Sequence, residues 1–264
     1  MLQLSDALLD DKVVLISGGT QGLGAAVASA AARNGADVAV TGRRKDVGDQ
    51  FAAELAEQSG RQILYVQADA GDVGQGRAAV AQTIDRFGRI DGLVNCAGLT
   101  TRGTMLDTTP ELFDEHIAVN LRGPFFLMQA AIKDMVARGA GGSIVNIITM
   151  ASHGGQPYLA PYVASKSGLV GLTRNAAFAH RWDQIRINGV NIGWTETEGE
   201  DATQRRFHGA GDDWLEKAAA QQPMGKLGQV DEIADFVVFL LSARSGVVTG
   251  SVIDWDQVVP GAYE

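Results

Sequence analysis

Apolar and polar positions alternate in blocks along this chain of 264 residues. Residues 12–16 form a short β-branched run that reads as a strand. A glycine-rich turn, Ser17-Gly18-Gly19-Thr20-Gln21-Gly22-Leu23-Gly24, follows at once. The alanine-rich segment 25–33 then has strong helix propensity. The same succession recurs down the chain. Strands are predicted at 37–40, 62–67, 90–94, 141–149, 185–192 and 250–255. Helices are predicted at 47–58, 73–87, from Thr109-Pro110-Glu111-Leu112 through Asn120, at 123–138, from Tyr162 through 179, and at 230–241. Asp46 is expected to cap the helix at 47–58. Residues 150–161 read as a loop.

This alternation predicts the α/β class, as a Rossmann-type doubly wound parallel sheet of about seven strands with helices on both faces. No repeat, low-complexity linker or boundary interrupts it, so 1–264 is expected to be one domain. The polar stretch 198–222 lacks apolar periodicity. It suits a lid over a site, with an ordinary surface helix pair as the alternative.

Composition changes this picture little. A hydrophobic fraction of 45% argues against disorder, and a net charge of −9 disfavours a general nucleic-acid surface. Cys96 is the only cysteine, so no intrachain disulfide is possible and a reducing compartment fits. Residues 1–11 carry Asp6, Asp10 and Asp11 and do not resemble a secretory signal. The apolar run 236–241 is too short to span a bilayer. A soluble, cytoplasmic protein is expected. The histidines at 116, 153, 180 and 208 show no metal-binding spacing, so no metal is expected.

Candidate chemistry gathers at two places. Strand, glycine turn and helix around Gly18, Gly22 and Gly24 suit a dinucleotide, because glycines admit the pyrophosphate and the helix N-terminus supplies free N–H groups. The second predicted strand ends in Thr41-Gly42-Arg43-Arg44, where NAD sites carry an acid. Arg43 and Arg44 suit a 2′-phosphate, which favours NADP and leaves NAD as the alternative. Gly18, Gly42, Asp69 and Asn95 all fall at predicted carboxyl ends of strands, where such sheets bind ligands. The other place is Tyr162-Val163-Ala164-Ser165-Lys166. One helical turn puts a phenol and an ammonium on the same face, and the ammonium is expected to lower the phenol's pKa.

Taken together, in this order, these motifs resemble the short-chain dehydrogenase/reductase family over about 12–256. The glycine turn looks like TGxxxGxG with Ser17 in place of Thr. Asn95-Cys96-Ala97-Gly98 looks like NNAG, and Tyr162 and Lys166 match YxxxK. The resemblance implies an NAD(P)-dependent oxidoreductase that interconverts a secondary alcohol and a ketone or an aldehyde- or lactone-level carbonyl. It implies catalytic roles for Asn120, Thr149, Tyr162 and Lys166. Gly18, Thr20, Gln21, Gly22, Leu23, Gly24, Asp69, Ala70, Asn95, Ala97, Gly98, Thr195 and Thr197 would contact the cofactor, with Tyr162 and Lys166.

Several positions depart from the family pattern. Thr149 stands where the family has Ser, and Ser152 is a nearby alternative hydroxyl. Ile192-Gly193 replaces Pro-Gly, Gln21 stands where NADP-preferring members often carry Arg or Lys, and Asp256-Gln257-Val258 replaces Asp-Gly-Gly. A different course is therefore expected for the tail. His153, Gln156 and Trp194 are candidate substrate contacts, with His208 and Trp214 beside them. Polar groups near Trp suit a sugar or polyol. The family also implies a homotetramer or homodimer built on the helix after Gly123 and the Tyr162 helix. A sugar-nucleotide epimerase would carry a different glycine spacing, and an enoyl reductase would space its Tyr and Lys more widely. The competing class is a non-catalytic dinucleotide sensor.

Overall fold

A computed structural model describes residues 7–261 of the chain. Residues 1–6, part of the segment read as lacking a secretory signal, lie outside the described residues, as do 262–264. Seven described strands form one sheet: β1 (Val13–Ser17), β2 (Asp37–Gly42), β3 (Ile63–Gln67), β4 (Gly92–Asn95), β5 (Gly142–Thr149), β6 (Ile185–Ile192) and β7 (Val252–Trp255). Their order is β3-β2-β1-β4-β5-β6-β7 and every pairing is parallel. The helices are α1 (Gly22–Arg33), α2 (Lys45–Ser59), α3 (Val73–Phe87), α4 (Pro110–Ile117), α5 (Gly123–Arg138), α6 (Ala160–His180), α7 (Glu198–His208), α8 (Trp214–Ala220) and α9 (Val230–Leu241).

Two apolar layers explain why the strands read as nearly continuous apolar runs. Val14 and Ile16 face one core, shared with Val27 and Ala31 of α1 and Val237 and Leu241 of α9. Leu15 faces the other, shared with Val80 of α3, Leu127 and Met135 of α5, and Ala177 of α6. A strand buried on both faces has no reason to alternate with polar residues.

Boundaries shift where side chains or turns take over backbone groups. The fourth strand starts at Gly92 rather than at 90, because the Ile90 N–H donates to the Asp134 carboxylate at 3.1 Å and not to a neighbouring strand. The first helix starts at Gly22, three residues before the alanine run. Arg44, not Asp46, occupies the N-cap of α2. Asp46 lies in the first turn, where its charge meets the positive end of the helix without a capping bond.

Between α4 and α5 the chain does not continue as α-helix through Asn120. Residues Ala118–Arg122 form one π-helical turn, and Asn120 inside it is fully buried. The polar stretch 198–222 folds as α7 and α8, with Trp214, Ala218 and Leu227 making a small core of their own. The tail meets the loop that follows. The Gln257 side chain donates to the Lys226 carbonyl at 2.7 Å and accepts from the Met224 N–H at 2.7 Å. Among the described residues, no helix is long and apolar enough to cross a membrane, and no group of three or more His, Cys, Asp or Glu could hold a metal ion.

Candidate active site

β1 lies between β2 and β4, so the direction of winding reverses beside it, and the carboxyl ends of the strands open onto one crevice. Ser17, Thr41, Asp69, Ala70, Asn95 and Ala97 line a common small cavity there. The glycine turn crosses its edge. Gly18 has φ +74°, and a Cβ on it would lie 2.8 Å from the backbone nitrogen of Ala97. A Cβ on Gly24 would lie 2.0 Å from the Gly18 carbonyl oxygen, so helix α1 closes onto the turn only without a side chain there. Gln21 is the N-cap of α1 and makes no capping bond with its side chain, and Gly22 faces Thr197 across the crevice. The Asn95 side-chain oxygen is buried without a partner, while its amide donates to Asn146 at 2.7 Å. Small residues, a helix N-terminus and a waiting acceptor fit a dinucleotide along this edge.

Arg43 and Arg44 are exposed just beyond β2. The Arg44 guanidinium donates to Gln21 Oε1, so the two residues that pull the cofactor reading in opposite directions are joined. The Arg43 carbonyl accepts from Gln67 at 2.9 Å. Asp69 accepts from the Gly71 N–H at 2.8 Å, which holds its carboxylate at the end of β3.

Beneath the crevice lies a buried polar assembly. Asn120 Oδ1 accepts from the Leu99 N–H at 2.8 Å, and its amide donates to the Leu99 carbonyl at 2.9 Å and to Ser165 Oγ at 3.0 Å. Ser165 donates to the Tyr162 carbonyl at 2.8 Å. The Lys166 ammonium donates to the Ile147 carbonyl of β5 at 2.8 Å. Asn120 thus braces α6 one turn from the phenol, and Lys166 ties the same helix to the central sheet.

Electrostatics here differ from the expectation. Burial pushes the Tyr162 phenol up to about 12, while a hydrogen bond with Thr149 pulls it down, Glu200 raises it and Arg102 lowers it. The Lys166 ammonium is not among these causes. It sits 5.9 Å from the phenol ring centroid, is committed to a backbone carbonyl, and is itself drawn down to about 8 by burial. Both groups are driven toward their neutral forms, because burial penalises charge of either sign. Burial likewise raises the Cys96 thiol to about 12, against a downward pull from Lys166, and that keeps it from acting as a nucleophile.

Thr149 ends β5 beside Tyr162. Ser152 turns elsewhere, donating to Asn191 at 3.3 Å, so the hydroxyl next to the phenol is that of Thr149. His153 is engaged by Asp254 at 2.9 Å on the outer strand pair, and Gln156 is exposed in the turn before α6. Thr195 donates to the Gly193 carbonyl at 2.9 Å, and Thr197 caps α7 by accepting from the Glu200 N–H at 3.0 Å. Trp194 stacks on Trp214 and donates to Glu200 at 2.8 Å. A backbone bond at 3.2 Å from Gly193 to Trp255 joins this turn to β7.

Arg102 and Glu200 are the site residues that sequence reasoning missed. Both act on the charge of the phenol, in opposite directions. Arg102 belongs to the segment after β4, and Glu200 to the first turn of α7. Neither belongs to a motif, and only the fold brings them to Tyr162. Arg102 also reaches His208 Nε2 at 3.2 Å and lies over the rings of Tyr158 and Phe207 at 5.5 and 5.8 Å.

Comparison with known proteins places this geometry. A family model described as enoyl-(acyl carrier protein) reductase matches residues 18–257. The chain is 36% identical to a trans-4-hydroxycyclohexanecarboxylate dehydrogenase of Sinomonas cyclohexanicum, covering 95% of this chain and 93% of the relative. It is 33% identical to an L-rhamnose 1-dehydrogenase (NAD(P)(+)) of Sphingomonas sp. strain SKA58, covering 93% and 95%. Among solved structures, L-sorbose reductase from Gluconobacter frateurii, complexed with NADPH and L-sorbose, superposes with a TM-score of 0.91 at 26% identity, covering 98% of this chain and all of that one. These relatives are enzymes of CH–OH chemistry, so the sensor reading gives way. With its glycine turn, its Tyr162–Lys166 helix and this similarity over nearly its whole length, the chain belongs to the short-chain dehydrogenase/reductase family of NAD(P)-dependent oxidoreductases.

Proposed function

We propose that this oxidoreductase interconverts a secondary alcohol of a polyhydroxylated compound with the corresponding ketone or lactone-level carbonyl, preferring NADP. The observation that carries the reading is the buried assembly of Tyr162, Asn120 and Lys166, with Thr149 bonded to the phenol and Gly98 of the loop after β4 against Asn120 and Lys166. The nicotinamide, when bound, supplies the acceptor or donor of hydride. Thr149 holds the substrate oxygen, and Tyr162 gives it a proton in reduction or takes one in oxidation. Lys166 holds the nicotinamide ribose, and Asn120 keeps α6 in place and positions water for proton exchange. Asp69 and Ala70 receive the adenine end. Thr195 and Thr197 meet the nicotinamide amide. Arg44, oriented by Gln21, and Arg43 take the 2′-phosphate.

Dehydrogenases and reductases named for rhamnose and sorbose support a polyhydroxylated substrate. A relative named for a hydroxycyclohexanecarboxylate adds a carboxylated secondary alcohol to the range of this fold. Residues 198–222 act as the lid of a single domain. Exposed Phe125 and Val136 on α5 and Phe178 on α6 support a homotetramer or homodimer joined through those helices, and the single cysteine, Cys96, supports a cytoplasmic location.

The test is a spectrophotometric screen for reduced nicotinamide, run with NADP⁺ and NAD⁺ separately against polyols, sugars and simple secondary alcohols. Turnover with NADP⁺ and polyhydroxylated alcohols is expected. Turnover confined to bulky apolar alcohols, or indifferent to the cofactor's 2′-phosphate, overturns the substrate class or the cofactor preference respectively.

A further inference from the structure

We infer that the substrate carries a carboxylate as well as the reacting hydroxyl, and that Arg102 binds it. This rests on the dehydrogenase reading above and narrows its substrate class to hydroxy acids and their oxo counterparts.

Arg102 is a cation beside the phenol with no acid partner among the described residues. It takes part in none of the ion pairs among the described residues. Its terminal nitrogens make one bond each, to the Thr100 carbonyl at 2.9 Å and to His208 Nε2 at 3.2 Å. Its Nε is buried with no partner. A guanidinium has five N–H donors, so three remain, the buried Nε–H and one on each terminal nitrogen, and the terminal pair suffices for a two-point grip on a carboxylate.

The plane is held ready. The rings of Tyr158 and Phe207 both face the guanidinium carbon. Gly103 donates to the Tyr158 carbonyl at 2.9 Å and accepts from Ala160 at 3.0 Å, which pins the Arg102 segment to the start of α6, just before Tyr162. Phe207 and His208 belong to the last turn of α7, and Glu200 to its first. Glu200 accepts from Trp194 and from Gln204, both neutral donors. A substrate carboxylate is drawn to Arg102. A carboxylate anchored there fixes which hydroxyl of the substrate reaches Tyr162. With a net charge of −9 the chain as a whole repels anions, so recognition must come from this local group.

The first arm of the test is calorimetry on enzyme saturated with NADP⁺, titrated with cyclohexanecarboxylate and, separately, with cyclohexanemethanol. The carboxylate should bind at least about tenfold more tightly, as charge-assisted bonds predict. Arg102→Gln should erase that difference, and Arg102→Lys should restore part of it, with melting curves confirming that both variants fold. Equal binding of the two probes overturns the inference, as does an Arg102→Gln variant that weakens both alike, which would make Arg102 a tie to α7 only. The second arm compares turnover of D-gluconate with D-glucitol. Turnover of the neutral polyol without preference for the acid sinks the inference and leaves the dehydrogenase reading. Tight carboxylate binding without turnover of any alcohol leaves the Arg102 site and sinks the reading.

Discussion

The floor of the crevice and its rim are built on different principles. On the floor, Asn120, Ser165 and Lys166 bond to backbone groups of Leu99, Tyr162 and Ile147, and all three are buried. On the rim, Trp194, Glu200, Arg102 and His208 bond mainly to one another's side chains, and these contacts are exposed. A backbone partner stays in place whatever residue supplies it, so the floor keeps its geometry through sequence change. A side-chain partner disappears with one substitution. Chemistry that must not vary is therefore referred to the backbone, and substrate choice is left to contacts that are easily recut.

Breaking the floor should cost most. Tyr162→Phe should lower turnover by roughly 10²- to 10⁴-fold, because it removes the proton donor. Near-normal steady-state rates in that variant would move the chemistry elsewhere. Asn120→Ala removes three bonds of a buried side chain and should destabilise the protein by about 2–4 kcal/mol, read as a lowered denaturation midpoint. An unchanged midpoint would show that α6 is braced by other means.

The cofactor edge stands between floor and rim. Arg44→Ala should raise KM for NADP⁺ by roughly 10-fold, the loss of about one charge-assisted bond, with little change for NAD⁺. Equal losses with both cofactors would contradict a 2′-phosphate contact. Smaller still is the rim's reach into the floor. Glu200 raises the phenol's pKa, so Glu200→Gln should lower it. Oxidation needs the deprotonated phenol, so its rate should climb toward alkaline pH, and in this variant the climb should begin at lower pH. A pH–rate profile that does not move, or moves the other way, would separate the two regions electrostatically.

The floor was far more legible in the sequence than the rim. Glycines at 18, 22 and 24 and the Tyr162–Lys166 spacing are local patterns, and local patterns survive translation into structure. The strand ends Gly42, Asp69 and Asn95 could be found because apolar runs mark where strands stop. Arg102 and Glu200 belong to no pattern, and only packing brings them to one phenol. The pKa of that phenol was misread for the same reason. Spacing shows that Lys166 is near, but burial and the Ile147 carbonyl decide what its charge does. His153 and Gln156 lie close in sequence to the site, yet β7 holds one and solvent surrounds the other.

The single π-helical turn at Ala118–Arg122 acts as a phase shifter in the chain. Each α-helical residue advances the direction of its side chain by ~100°, and a turn closed one residue later takes up an extra residue without lengthening the axis as a full turn would. Asn120 points inward because of that offset. Removing one residue ahead of it would return the segment to plain α-helix and rotate Asn120 away from Leu99 and Ser165, even with every remaining side chain preserved. At this joint the number of residues is as much a part of the active site as their identity.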